Sequence, residues 1–269
     1  MSSNKIVLYC KSFSRDLNRV KILAETVQRY NVDKIPFYIS VPQKDTGIFM
    51  SEIPGAIVVS DESIVGSGEQ SWQSQQIVKA NFWKLGVTEN YLCLDSDAYF
   101  IRPFTTGDFI VPGTNVCYTV MHEQKDLFSW TVNKKAQLGF DPMESFRADR
   151  QRIMDIFGRE GRVYDFGPAP VLWNCDVWQA FSEEYLAANN MTFMDCIKHT
   201  PSEFTWYGEY LLASKKMEIW PVEPLFKVFH YNGQVHDAKR LGYTEADYAK
   251  LYLGIIMQGN DGSIPVKYS

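Results

Sequence analysis

Leu92-Cys-Leu-Asp95-Ser-Asp97-Ala-Tyr-Phe100 joins an apolar run to two acids one residue apart. Residues 91–94 are short and apolar, and read as a buried strand. Just before them, residues 71–85 have a helical pattern that stops at Gly86, a residue suited to a helix C-terminus. Three further strand-like runs lie upstream, at 6–9, at 37–41 (closed by Pro42) and at 56–59. Between the first two, Leu17, Val20, Leu23, Val27 and Tyr30 recur at helical spacing, with Ser14 placed to cap. Residues 115–120 read as one more strand. Strands alternating with helices predict an α/β fold, with a mostly parallel central sheet flanked by helices.

The second half is less regular. Residues 146–157, 175–188 and 202–215 read as helices, and 226–230 as a strand. Thr244, with Asp247 three residues on, predicts a capped helix running through Met257. No repeat, low-complexity tract or linker interrupts the chain. Gly66-Ser-Gly68 reads as a loop and not as a boundary, so residues 1–269 are expected to form one domain.

Composition narrows the function classes. With 269 residues, 45% of them hydrophobic and 22% charged, the chain can bury a sizeable core. A net charge of −5 disfavours general nucleic-acid binding. No run of 18 apolar residues exists, so no transmembrane segment is expected. The first ten residues lack the length and cleavage site of a signal peptide. Cys10, Cys93, Cys117, Cys175 and Cys196 are odd in number and follow no metal or disulfide spacing, which predicts reduced thiols and a cytoplasmic location.

The chemistry concentrates at Asp95 and Asp97. In open α/β sheets ligands gather beyond the carboxyl ends of the strands. Two carboxylates there form a hard-oxygen site for a divalent cation, which can in turn hold a diphosphate. A solvated surface turn can also carry Asp-x-Asp. The apolar run before it, and the aromatic pair and Arg102-Pro103 after it, make this instance more specific.

These residues resemble the nucleotide-sugar-dependent glycosyltransferases of the GT-A fold, with Asp95-Ser96-Asp97 as their DxD motif. More narrowly the chain resembles a bacterial and viral group of such enzymes, the DUF6492 group. The matching stretches are 75–79, 91–103, Ser202-Glu203-Phe-Thr-Trp-Tyr207-Gly208 and the late strand ending at His230. Residues 168–173 occupy the place of an acceptor-side or sugar-side loop but depart from the expected sequence.

The resemblance implies a Rossmann-like fold, with a nucleotide-sugar-binding half over 1–120 and an acceptor-side half over 121–269. It implies a metal-dependent hexosyltransferase using Mn²⁺ (or Mg²⁺), a UDP-sugar donor and a sugar or other hydroxyl acceptor. Asp97 is expected to bind the cation, with Asp95 contacting both cation and ribose beside Ser96. Tyr9, Lys11 and Phe13 end the first strand, where the base binds; either ring can stack on uracil or pack in the core. Gln76 and Lys79 share a helix face, where Lys79 can neutralise diphosphate oxygens and Gln76 can bond the sugar or ribose. Exposed residues on an amphipathic helix would look the same. His230 is expected as the third metal ligand, with His236 as its rival. Proton competition at that imidazole places a loss of metal affinity between about pH 7.5 and 6. Glu203 or Glu209 supplies the catalytic acid or base.

Two other functions fit parts of the sequence. A phosphatase of the haloacid-dehalogenase type also places Asp-x-Asp after an apolar strand, but on its first strand and with a late acidic pair that is missing here. A nucleotide-sugar-binding protein without catalysis would keep the same pocket.

Overall fold

The computed structural model describes residues 4–66, 72–139, 141–258 and 265–268. Two neighbouring strands, β1 (Asn4–Lys11) and β4 (Thr88–Leu94), form its centre. Both are buried along nearly their whole length, which is why they read as unbroken apolar runs and not as alternating ones. β2 (Phe37–Val41) and β3 (Ile57–Ser60) extend the sheet on the side of β1, and all these pairings are parallel. The helix Leu17–Tyr30 links β1 to β2, burying Val20, Leu23 and Val27. The structure is a mixed α/β fold of Rossmann-like type, with helices flanking a mostly parallel sheet.

The chain runs β1, β2, β3 outward and then returns to place β4 on the other side of β1, giving the order β3-β2-β1-β4. That reversal makes a crevice beyond the carboxyl ends of β1 and β4, the place where open sheets bind ligands. β7 (Val171–Asn174) closes the sheet as its one antiparallel member, paired with β4 from Asn90↔Asn174 to Cys93↔Val171. The segment 168–173, expected as a loop, is therefore in part an edge strand.

A smaller sheet joins β5 (Ala98–Phe100), β10 (Gly254–Met257) and β9 (Phe226–Phe229) in the order β5-β10-β9. It carries the chain just after Asp97 back against the late residues. Here the expected helix through Met257 is overturned. Thr244 and Asp247 do form a capping box, but the helix is only Glu245–Tyr248. The chain then enters β10, where all four residues are buried. Gly254 is needed there: a Cβ would stand 2.1 Å from the Phe226 ring and 2.3 Å from the Tyr99 carbonyl oxygen.

The strand expected over 115–120 shrinks to β6 (Thr119–Val120), which pairs with β8 (Pro221–Val222) outside the main sheet. Ser14 lies in a short 3-10 turn, and the helix that follows begins at Leu17, with Asp16 at the N-cap making no side-chain cap bond. The helix expected over 71–85 is Trp72–Ala80 followed by a 3-10 turn, and it ends at Gly86 in the left-handed region (φ 63°) as expected. Its first residue and most of Gly66-Ser-Gly68 lie outside the described residues, as do residues 1–3. Five helices had no sequence expectation: Thr46–Glu52, Asp61–Val65, Lys125–Leu138, Phe193–His199 and Asn232–Arg240. All five cysteines are buried free thiols, and burial pushes Cys117 up to about 12. Among the described residues no helix is long and apolar enough to cross a membrane.

Candidate functional site

A cleft of about 990 Å³ opens beyond the ends of β1 and β4. Lys11, Phe13, Arg15, Asp16 and Arg19 reach it from the end of β1 and the start of the following helix. Asp95, Ser96 and Asp97 reach it from the end of β4. Gln76 and Lys79 come from the helix Trp72–Ala80, Glu203 and Phe204 from the helix Glu203–Ser214, and His230 from the end of β9. Sequence positions more than a hundred residues apart thus share one space.

Asp97 holds part of the unfinished bonding of this cleft. Its Oδ2 lies 3.8 Å from Arg19 Nη1, and its Oδ1 is buried with no hydrogen-bond partner. Burial, and after it the neighbouring Asp95, pushes the Asp97 carboxyl up to about 7 against the pull of Arg19. A divalent cation is the group that would relieve such a carboxylate, so the donor chemistry fits one. The ligand set differs from expectation, however. Among the described residues no three His, Cys, Asp or Glu side chains stand together as a metal-holding group. Asp95, Asp97 and His230 therefore do not close a three-ligand cage, and a cation here would complete its shell from ligand oxygens and water.

His230 lines the cleft, whereas His236 is exposed on the helix Asn232–Arg240 and faces other space. Desolvation pushes the His230 imidazole down to about 4, partly offset by a hydrogen bond with Gln258. The proton competition expected between pH 7.5 and 6 is corrected accordingly: this imidazole is already neutral there.

Lys79 also departs from expectation. It is 4% exposed, and its ammonium donates to Asp95 Oδ1 at 2.6 Å and to Glu203 Oε1 at 3.3 Å. Burial works against the charge, but Asp95 and Glu203 together outweigh it and hold the ammonium well above the ordinary lysine range. Lys79 is thus an internal counter-ion for two carboxylates. Glu203 is pushed upward by burial, with Lys79 opposing. The backbone N–H of Glu203 donates to Gln76 Oε1 at 3.3 Å, while Gln76 Nε2 is buried without a partner.

The choice between Glu203 and Glu209 falls out of packing. Glu209 is fully buried and outside the cleft wall, gripped by Arg159 through Nε to Oε2 (2.5 Å) and Nη2 to Oε1 (2.6 Å). It is held in an ion pair away from the cleft. One turn of the same helix is fixed by Gly208, where a Cβ would stand 2.0 Å from the Phe166 ring. That close approach seats the helix and so aims Glu203 into the cleft.

At the end of β1, Lys11 and Phe13 reach the cleft and Tyr9 does not. Tyr9 is 0% exposed, stacked on Phe82 at 3.9 Å, with its hydroxyl 2.8 Å from Ser40 Oγ. It is a core residue and unavailable to a base. Phe13 is 36% exposed and lines the cleft, with the Arg15 guanidinium 5.7 Å from its ring. Lys11 lines the cleft but is paired with Asp61 Oδ2 at 2.9 Å. Ser96 Oγ donates to Asp16 Oδ2 at 3.1 Å, tying the ends of β1 and β4 together. Arg15 and Arg19 went unnoticed in the sequence. Two arginines four apart, opening a helix directly after a buried strand, were the signal that could have found them.

A profile described as "Family of unknown function (DUF6492)" matches residues 5–219 of the chain. That interval holds both aspartates, Gln76, Lys79 and Glu203, and leaves His230 outside. None of the curated proteins matches the chain.

Proposed function

We propose that this chain, which belongs to the DUF6492 family, transfers a hexosyl group from a nucleotide diphosphate sugar to a hydroxyl acceptor, with Mn²⁺ or Mg²⁺ held at Asp97 and Asp95. The observation that carries this reading is Asp97 itself. A buried carboxylate with an unpartnered Oδ1 sits beside a second carboxylate, in the crevice between the central strands, in a cleft large enough for such a donor. The resemblance to GT-A enzymes names the donor class, and UDP-hexoses come first on that ground.

A divalent cation bound there supplies charge neutralisation for the departing diphosphate. The chain's own groups do the rest. Arg15 and Arg19 face the same space and hold phosphate oxygens, a task that Lys79, already paired, does not perform. Phe13 offers its exposed face to the base. Gln76 Nε2 donates to a sugar or ribose hydroxyl, filling its missing bond. Lys79 holds Asp95 and Glu203 in place through its two hydrogen bonds. Glu203 takes the proton from the acceptor hydroxyl as the new C–O bond forms and the sugar–phosphate bond breaks, the electron pair leaving with the diphosphate. In a retaining enzyme the same carboxylate would instead face the sugar's developing positive charge.

The test is a donor-hydrolysis screen over nucleotide sugars with Mn²⁺ and with chelator. Slow metal-dependent release of UDP, lost in Asp97→Asn, supports the reading. Tight nucleotide-sugar binding without any release assigns the chain as a binding protein, and cleavage of simple phosphate esters assigns a phosphatase.

A further inference from the structure

Eight buried side-chain polar atoms lack a partner among the described residues, and three of them belong to residues that line the main cleft: Asp97 Oδ1, Gln76 Nε2 and Arg150 Nε. The first two lie on the β4 side. Arg150 stands apart from them, on the helix Pro142–Ile156, and the proposed donor chemistry has no use for it.

Its surroundings are built and not incidental. The guanidinium lies 3.5 Å from the centre of the Phe146 ring and donates through Nη2 to Asp165 Oδ1 at 3.0 Å. Asp165 is 1% exposed and also accepts from Gln124 Nε2 at 2.5 Å and from the Gly167 N–H at 3.3 Å. Gln124 holds a left-handed backbone (φ 54°) that non-glycine residues seldom adopt, and its amide is fixed by Asp165. His122 Nε2 lies 2.7 Å from the Gly167 carbonyl oxygen, and His122 and Asp165 exchange backbone bonds. The shelf is therefore locked in place before any ligand arrives.

A second chamber of about 410 Å³ shares Gln124, Leu127, Pro168 and His230 with the main cleft, and Tyr164 and Tyr252 stand on its walls. The shelf sits at the junction of the two spaces.

We propose that the Arg150–Asp165–Gln124 shelf, with the Phe146 ring, is a seat for a neutral saccharide that extends into the second chamber. The charges decide the class. Arg150 and Asp165 cancel one another, so an anion would meet a buried carboxylate and a cation would meet a guanidinium. What the shelf offers is directional bonding, from Arg150 Nε and the fixed Gln124 amide, beside an aromatic face on which sugar C–H groups pack. The shelf is the acceptor side only if the transferase reading holds, but saccharide binding itself needs neither donor nor metal.

The test is saturation-transfer NMR on the full chain without nucleotide or metal, using lactose, maltose, cellobiose and N,N′-diacetylchitobiose, with digalacturonate as the charged comparison. At least one neutral disaccharide is expected to bind. Its affinity should fall at least tenfold in Arg150→Lys, which keeps the charge but loses the Nε donor, and in Phe146→Leu, which leaves the Arg150–Asp165 pair intact. His236→Ala, at an exposed residue that lines neither space, should bind it unchanged. No binding by any neutral disaccharide, equal binding by both shelf variants, or binding of digalacturonate alone would overturn the proposal. Donor hydrolysis is measured separately, so a failed transferase reading leaves this result standing, and the reverse also holds.

Discussion

The two walls of the cleft are built in opposite ways. On the wall formed by β1 and β4, acids and bases arrive from strand ends and helix starts, and the charges are left partly open. Asp97 Oδ1 has no partner, and Arg19 stands off at 3.8 Å. On the far wall, Arg150 and Asp165 close their charges on each other at 3.0 Å. An open carboxylate in a buried place has a standing electrostatic cost that a cationic ligand removes, whereas a closed pair has only hydrogen-bonding directions left to give. The difference separates ionic chemistry on one side from neutral recognition on the other, and mutations can probe each half.

The largest effect is expected at Asp97. Asp97→Asn should cut donor turnover at least about 100-fold while leaving the fold intact. The same variant should gain stability, with a sign that pH reveals. A carboxyl raised in the folded state to about 7 from its ordinary value near 3.8 binds more protons folded than unfolded, so the native protein loses stability as pH rises between those values. Thermal unfolding of Asp97→Asn against wild type in metal-free buffer should show a gain on the order of a few kcal/mol at pH 8 that shrinks towards pH 4. A pH-independent difference would mean that Asp97 is well solvated, and the contrast between the walls would fail.

Next comes Lys79. Lys79→Met leaves Asp95 and Glu203 without their shared ammonium, and should destabilise the fold by about 3–5 kcal/mol. Urea denaturation reads this directly. Unchanged stability with weakened donor binding would instead return Lys79 to the role of a free cation in the cleft.

Smaller and opposed effects should separate the two glutamates of one helix. Glu209→Gln weakens the double contact with Arg159 and should lower stability by about 1–3 kcal/mol with kinetics preserved. Glu203→Gln should keep the melting temperature close to wild type and lose turnover. The smallest expected effect is at His230. Its imidazole is pushed down to about 4 from 6.5, so the unfolded state binds the extra proton and stability falls as pH drops through that window. His230→Gln should flatten this part of the stability curve by about 1–3 kcal/mol.

What could be read from the sequence follows the same physical division. β1, β2 and β4 were legible because central parallel strands are apolar on both faces, and β3, a half-exposed edge strand, because its Ile-Val-Val run has strand propensity. β10 was not, since four buried residues after a capped turn fit a helix as well as a strand. β7 hid behind two prolines. Asp95, Asp97, Gln76 and Glu203 were expected to share one site, and all four line the same cleft. The roles of Lys79 and Tyr9 were not, because a side chain's partner is set by packing: Lys79 meets Glu203 across 124 positions, and Tyr9 meets Phe82 and Ser40. Arg150 and Asp165 carry no local pattern at all, and only the fold brings them together.

The central claim is that Asp97 anchors a cation-dependent nucleotide site. Calorimetric titration of UDP into the protein at pH 7.5, with Mn²⁺ and then with EDTA, tests it most directly. The account predicts binding with Mn²⁺ that weakens at least about tenfold on chelation and equally in Asp97→Asn. Binding of the same strength in EDTA, or in Asp97→Asn with Mn²⁺ present, would contradict it.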